Sequence, residues 1–250
     1  MKYARFMKDN VISYGLIKES KVTKLEGDLF GEYHVTDVEY DLESVKLLAP
    51  CTPSKIVAVG LNYNDHAKEM KEDIPATPKI FIKPSTAVIG PGDQIIKPVM
   101  SKRVDYEAEI AVVIKKQAKD ISAEQVKDFI LGYTCLNDVT ARDLQSLDGQ
   151  WTRAKSFDTF APIGPWITDE IDANHVDIRL LLNGEEKQHS NTSYFIWKIE
   201  ELVSFISQIM TLLPGDVITT GTPSGIGPME SGDTVEVIVE GIGTLKNTVA

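Results

Sequence analysis

Along this chain apolar and polar positions mostly alternate with a period of two, and helical spacing is confined to a few short windows. Three short alternating runs, "KYARFMK", "VISYGLIK" and "KVTKLEG", predict a small meander within residues 1–50. "DLESVKLLAP" reads as a linker that closes with Pro50 and Pro53. From Lys55 the pattern changes: "KIVAVGLNY" is a buried-type strand, and "NDHAKEM" a short helix with Asn64 or Asp65 as its cap. "TPKIFIKPSTAVIGPGDQIIKP" holds two short strands, and "VDYEAEIAVVI" one longer strand. "SAEQVKDFILG" predicts a helix with Ser122 and Gln125 as a capping box and Gly132 just past its end. "YTCLNDVTARDLQ" runs from strand into helix, and Asn183-Gly184 marks a type I′ hairpin in "VDIRLLLNGEEKQHS". "IWKIEELVSFISQIMTLL" is amphipathic and ends before Pro214, and strands and glycine turns follow. Many strands, few helices and no regular βαβ alternation predict an α+β, mostly β roll or barrel: a small N-terminal β domain over residues 1–50 and a main domain over 51–250.

In the strand at residues 104–114, alternation places Asp105, Glu107 and Glu109 on one face, while the other face is apolar throughout. Adjacent like charges repel, and burying an ionised carboxylate is costly without a partner. Either that face is wet, the ordinary state of glutamates, or a cation lies over it. Asp138, at the end of the apolar run "YTCL", shifts the balance. Three carboxylates from two buried-type strands make an oxygen-only site suited to Mg²⁺, Mn²⁺ or Ca²⁺, with coordination positions left for water and substrate.

The 250 residues suffice for one large domain, or for one with a small appendage. With 26 basic against 37 acidic residues the net charge is −11, and no basic stripe is present, which argues against nucleic acid or an anionic membrane as partner. Cys51 and Cys135 are too few and too far apart for a disulfide framework or a zinc site. The scattered charge of "MKYARFMKDN" does not suit a signal peptide and no run is long enough to span a bilayer, so the cytoplasm is the expected location.

His66 and Glu69 stand three apart and share a helical face, either as a surface pair or as a base with its orienting carboxylate. His34, His175 and His189 lie in polar or turn-like segments, with no acidic partner at useful spacing, and read as surface. Lys155, in "WTRAKSFDTFAPIGPW", either extends its head to water or supplies positive charge to an anionic substrate. "GTPSGIG" lacks the lysine and the helix of a phosphate loop, so it reads as a tight turn with Thr222 as a ligand contact.

In order along the chain, "VGLNYNDHAKEM", "KPSTAVIGPGD", "DYEAEIAVVI", "GYTCLNDVTARDLQ", "AKSFDTFAPIGPW" and "LLPGDVITTGTPSGIG" resemble the fumarylacetoacetate hydrolase family from Lys55 onward. The resemblance implies a mixed β-sandwich roll in which Glu107, Glu109 and Asp138 bind Mg²⁺ or Mn²⁺. It implies a His66–Glu69 dyad on a lid over the substrate, Lys155 near the metal, and Arg142, Gln145 and Thr222 as substrate contacts. The apolar "KIVAVG" stands where the longer family members carry a fourth acidic ligand, so the chain resembles the shorter, three-ligand group, and fumarylacetoacetate itself is a poor fit.

For that group the resemblance implies a small 2-oxo (di)carboxylic acid handled as a metal-stabilised enolate, by a homodimer. Hydrolysis of an acylpyruvate or decarboxylation of oxaloacetate comes first, with isomerisation or tautomerisation of a 2-hydroxy-dienedioate second. A metal-binding module without catalysis is the rival from another class, and retention of His66, Glu69 and Lys155 argues against it.

Overall fold

The structure, a computed structural model, describes residues 1–64 and 75–250. The N-terminal meander is β1 (Lys2–Lys8), β2 (Val11–Lys18), β3 (Lys21–Gly27) and β4 (Tyr33–Asp41). Then come β5 (Lys55–Gly60), β6 (Lys79–Pro84), β7 (Val104–Tyr106), β8 (Ala108–Ile114), β9 (Ile130–Asn137) and β10 (Ala161–Thr168). The C-terminal third adds β11 (Asp177–Leu182), β12 (Glu185–Asn191), β13 (Val217–Thr219), β14 (Thr234–Val239) and β15 (Gly243–Val249). The α-helices α1 (Arg142–Asp148), α2 (Thr152–Lys155) and α3 (Ile199–Ile209) are short. As the sequence pattern predicts, the fold is α+β and mostly β.

The largest sheet runs β4-β3-β2-β1-β10-β9-β8-β13-β5-β6. It is mixed, because β13 and β5 pair in parallel (Val217 with Ile56), while β8, β9 and β10 are antiparallel neighbours. The meander joins through β1, whose Lys2 and Tyr3 pair with Thr168 and Ile167 of β10. A second sheet, with β12-β11-β14-β15 in order, packs across the first. The main core between them takes Ile110, Val112 and Ile114 from β8 together with Ile178 and Leu180 from β11 and Val235 and Val237 from β14. The other face of β8 carries Ala111 and Val113 into a separate cluster shared with the meander. Burial on both faces explains why the run after Glu109 is apolar without alternation.

Two expectations are corrected. The segment at 104–114 is not one strand: it breaks at Glu107, so that β7 joins a small separate sheet while β8 stays in the large one. The helix predicted in "SAEQVKDFILG" is a short 3-10 turn, Ala123–Asp128, whose Gln125 does accept from the Ser122 N–H at 2.9 Å. Gly132 lies inside β9 rather than past a helix end, where a Cβ would stand 2.4 Å from the Thr168 carbonyl oxygen. Close strand approach, not helix termination, demands glycine there. The Asn183-Gly184 hairpin and the helix before Pro214 form as predicted. The expected helix in "NDHAKEM" lies outside the described residues beyond Asn64.

The parallel β5–β13 pair delivers two loops to one end of the large sheet, and Asp216 pins the pair at its other end. Its buried carboxylate accepts from the Ser54 N–H at 3.0 Å, the Ser54 hydroxyl at 2.6 Å, the Leu213 N–H at 2.8 Å and the Lys55 ammonium. Asp216→Ala should therefore cost about 2–4 kcal/mol, because several buried donors lose their acceptor together. Urea unfolding checks this; a loss no larger than that of an exposed aspartate replaced by alanine would mean that other contacts hold the pair.

Candidate metal and substrate site

The break at Glu107 builds the site. At a break in a ladder backbone N–H groups need other partners, and side chains supply them: the Glu107 N–H donates to Asn137 Oδ1 and the Ala108 N–H to Gln188 Oε1, both at 2.9 Å. The chain turns there, so Glu107 and Glu109 converge with Asp138, which follows directly on β9. One carboxylate oxygen from each lies within 4.8 Å of the others. All are buried, at 5%, 1% and 1% exposure. The carboxylates are therefore not on a wet face.

Cations surround the triad. Lys155 Nζ donates to Glu107 Oε2 at 2.9 Å and to Asp138 Oδ2 at 2.7 Å. Lys83 Nζ donates to Asp138 Oδ1 at 2.5 Å and to the Val139 carbonyl at 3.1 Å. Arg142 donates from Nη2 to Glu107, from Nε to Asp105 at 2.9 Å and from Nη1 to Gln145 Oε1 at 2.7 Å. Asp105, fully buried, also accepts from Arg103 Nε at 2.8 Å, so it orients arginines and stands apart from the triad. Lys155 does not extend its head to water: it is buried, and its ammonium stands 5.0 Å from the centre of the Phe81 ring.

The lysines respond differently to burial. At Lys155 burial works against the charge, but Asp138 and Glu107 outweigh it and raise the pKa above the ordinary lysine value. At Lys83 burial dominates and Asp138 offsets it only in part, so the pKa falls. Glu109 is the least compensated carboxylate. It accepts from the Gly221 N–H at 2.8 Å, yet among the described residues no cation bonds to it directly. Burial first, then the charges of Asp138 and Glu107, push its carboxyl well above the usual range. Three convergent, buried oxygen donors with one left electrostatically unsatisfied fit a hard divalent ion such as Mg²⁺ or Mn²⁺.

Above the triad opens a cavity of about 180 Å³, lined by the triad, Arg142, Gln145, Lys155 and Thr222, with Phe81 and Trp151 among its apolar walls. The Trp151 ring lies on Gly60, where a Cβ would come within 2.5 Å of it, and meets Phe81 edge-on at 5.2 Å. The structure thus brings together Glu107, Glu109, Asp138, Arg142, Gln145, Lys155 and Thr222. His66 and Glu69 lie outside the described residues. His34, His175 and His189 are exposed as expected, but each has an acidic neighbour, and His175 and His189 find theirs three residues back, at Asp172 and Glu186. Sequence reasoning missed Lys83, Trp151 and Gln188. For Lys83 a faint signal existed: it shares a period-two face with Phe81 in "KIFIKP".

Residues 55–250 match the family model described as fumarylacetoacetate (FAA) hydrolase C-terminal, and residues 1–50 match one described as Rv2993c-like, N-terminal. The chain belongs to the fumarylacetoacetate hydrolase family. It is 43% identical to the oxaloacetate tautomerase Fahd2a, mitochondrial, of Rattus norvegicus, over 82% of this chain and 69% of that one. Among solved structures, 2-hydroxyhepta-2,4-diene-1,7-dioate isomerase from Mycobacterium marinum superposes with a TM-score of 0.93 at 44% identity, covering 100% of this chain and 98% of that one. Maleylpyruvate hydrolase from Sphingobium sp. SYK-6, in complex with manganese(II) ion and pyruvate, superposes at 0.84 with 29% identity, covering 100% and 99%. Members of this family are enzymes. Among the described residues no helix is long and apolar enough to cross a membrane.

The raised carboxyl of Glu109 sets a pH dependence. Its folded pKa exceeds its unfolded one, so its contribution to stability is complete below the ordinary glutamate value and is lost as pH rises towards the raised value. A divalent ion reverses this by displacing the proton. Mn²⁺ binding below the raised pKa should therefore release a proton, seen calorimetrically as a heat that varies with the buffer's ionisation enthalpy. Glu109→Gln should abolish that release and weaken Mn²⁺ by more than the roughly 10- to 100-fold that loss of an outer-shell partner costs. Unchanged affinity would place the ion elsewhere.

Proposed function

We propose that this chain is a divalent-metal-dependent enzyme that tautomerises a small 2-oxo dicarboxylic acid, oxaloacetate or a 2-hydroxy-dienedioate, by moving a proton at the carbon beside the 2-oxo group. The observation that carries the reading is the buried acidic triad with Lys155 bonded across it, at the floor of a cavity of about 180 Å³. The identity of 43–44% to a tautomerase and an isomerase supports proton movement ahead of the bond cleavage that the sequence reading put first.

Glu107, Glu109 and Asp138 would hold Mg²⁺ or Mn²⁺, which when bound supplies a Lewis acid that polarises the 2-oxo group. Lys155, charged and shielded from water, stabilises negative charge developing on the substrate oxygen. Arg142, held by Asp105 and Gln145, aims its guanidinium at a carboxylate. Trp151 and Phe81 exclude water and favour a small, flat substrate. On the family resemblance, the proton transfer at carbon is assigned to the pair His66 and Glu69, which lie outside the described residues. Retention of His66, Glu69 and Lys155 argues against an inactive binding module.

A second reading, hydrolysis of an acylpyruvate or decarboxylation of oxaloacetate, uses the same residues and is supported by the hydrolase relative with pyruvate in its complex. A homodimer belongs to the proposal as well. The exposed Val99, Met100 and Leu147 flank the contact between Ser101 and Asp143 and offer it apolar surface, and light scattering of the purified protein tests it.

Oxaloacetate followed by its enol absorbance, with pyruvate assayed in parallel, separates the chemistries. Tautomerisation predicts a metal-dependent loss of enol without pyruvate; pyruvate formed at the same rate would favour cleavage. Lys155→Met should lower kcat by roughly 10²–10⁴-fold, the range for a positioned acid–base or electrostatic group. A variant as active as the parent would remove Lys155 from the mechanism.

A further inference from the structure

Gln188 is buried to 1% exposure on β12, one residue beyond the site of a register shift in the β11–β12 hairpin. Leu180 pairs with Gln188 but Leu181 pairs with Glu186, so Lys187 is the extra residue of a bulge. A bulge re-aims the side chains beside it, and here Gln188 points under the glycine loop that follows β13. Its Oε1 accepts from the Ala108 N–H at 2.9 Å. Its Nε2 donates to Thr222 Oγ1 and to the Pro223 carbonyl, both at 2.9 Å. The loop rests closely on this strand, since a Cβ at Gly225 would fall 2.3 Å from the Lys187 carbonyl oxygen.

These partners fix the amide's orientation. A backbone N–H can only donate and a backbone carbonyl can only accept, so oxygen faces Ala108 and nitrogen faces the loop. Thr222 must then accept through Oγ1, and a hydroxyl that accepts still has its own proton to give. Among the described residues no acceptor takes that proton, and Thr222 lines the cavity. We infer that Gln188 is a positioning residue that makes Thr222 a hydrogen-bond donor into the cavity, and so sets the site's preference for a ligand with an oxyanion at that wall. The inference rests on the proposed function only in placing a carboxylate-bearing ligand in this cavity. It also gives the distal hairpin a part in recognition: the bulge at Lys187 faces Gln188 inward, and Gln188 joins the break in the acidic strand to the loop that meets the ligand.

Oxalate, a flat dianion that resists turnover, serves as the probe with the Mn²⁺-loaded full chain, its binding measured by calorimetry. In Gln188→Glu the new carboxylate can only accept, so it takes the Thr222 proton away from the cavity. Oxalate should then bind roughly 10- to 100-fold more weakly, the worth of a hydrogen bond to a charged group. Mn²⁺ affinity should stay within about threefold, because no proposed ligand is altered. Thr222→Val should lose as much as Gln188→Glu, Thr222→Ser should retain wild-type affinity, and the double variant Gln188→Glu/Thr222→Val should be no worse than either alone. Should Gln188→Glu fail to fold, the cycle with Gln188→Met decides: adding Thr222→Val should then cost less than it does in the wild type. Wild-type oxalate affinity in Gln188→Glu, or losses that simply multiply, would overturn the assignment while leaving the functional reading intact. If the Mn²⁺-loaded wild type itself fails to bind oxalate, the functional reading falls and the assignment with it.

Discussion

Mutual repulsion among three buried carboxylates is the constraint on which the rest of this structure depends. Glu107, Glu109 and Asp138 have oxygens within 4.8 Å of one another and almost no contact with water. Such a cluster is tolerable only because cations reach it from several elements. Lys83 arrives from an edge strand, Lys155 from a four-residue helix, and Arg142 from the first turn of α1. The compensation is uneven: Asp138 is bonded by both lysines and Glu107 by Lys155 and Arg142, while Glu109 has a backbone N–H. The unevenness leaves a deficit of positive charge beside Glu109, at the place where the three acidic oxygens could hold a divalent ion.

The geometry around the triad follows from interruptions of regular structure. A continuous strand over 104–114 would keep Glu107 and Glu109 on one flat face, with their backbone groups committed to a ladder. The break at Glu107 instead lets Asn137 and Gln188 complete those hydrogen bonds with side chains. Asn62 does comparable work where β5 ends: its amide donates to the Thr220 carbonyl at 2.8 Å and accepts from the Trp197 N–H at 2.8 Å. Leu61, beside it, holds a positive φ of 62° while lining the cavity. Strained or broken backbone is costly unless neighbours over-determine it, and here buried amides do so.

Much of this was legible in the residues. Alternation marked the strands, Asn183-Gly184 marked its hairpin, and the conflict between a buried-type strand and its two glutamates singled out residues of the buried acidic cluster. Lys155 was recognised but could not be placed, because a lysine among aromatic residues is as consistent with a head in water as with a charge offered to an anionic substrate. Lys83 left only a faint mark: it shares a face with Phe81 in "KIFIKP", but nothing there says that this face of an edge strand meets an aspartate 55 residues later.

What the sequence determined by itself is local in origin: periodicity, turn chemistry, the acidic residues and their order, and an apolar content that makes most strands buried. These depend on neighbours within a few residues, where backbone geometry dictates which side chains share a face. Only the tertiary structure decided which cations balance which carboxylates, where the acidic strand breaks, and that a glutamine on a distant hairpin turns beneath the loop of Thr222. Those outcomes depend on contacts between residues 17 to 80 positions apart, such as Lys155 with Asp138 and Gln188 with Ala108. A long-range contact of this kind is selected by the packing of whole sheets, and no pattern within a strand encodes its partner.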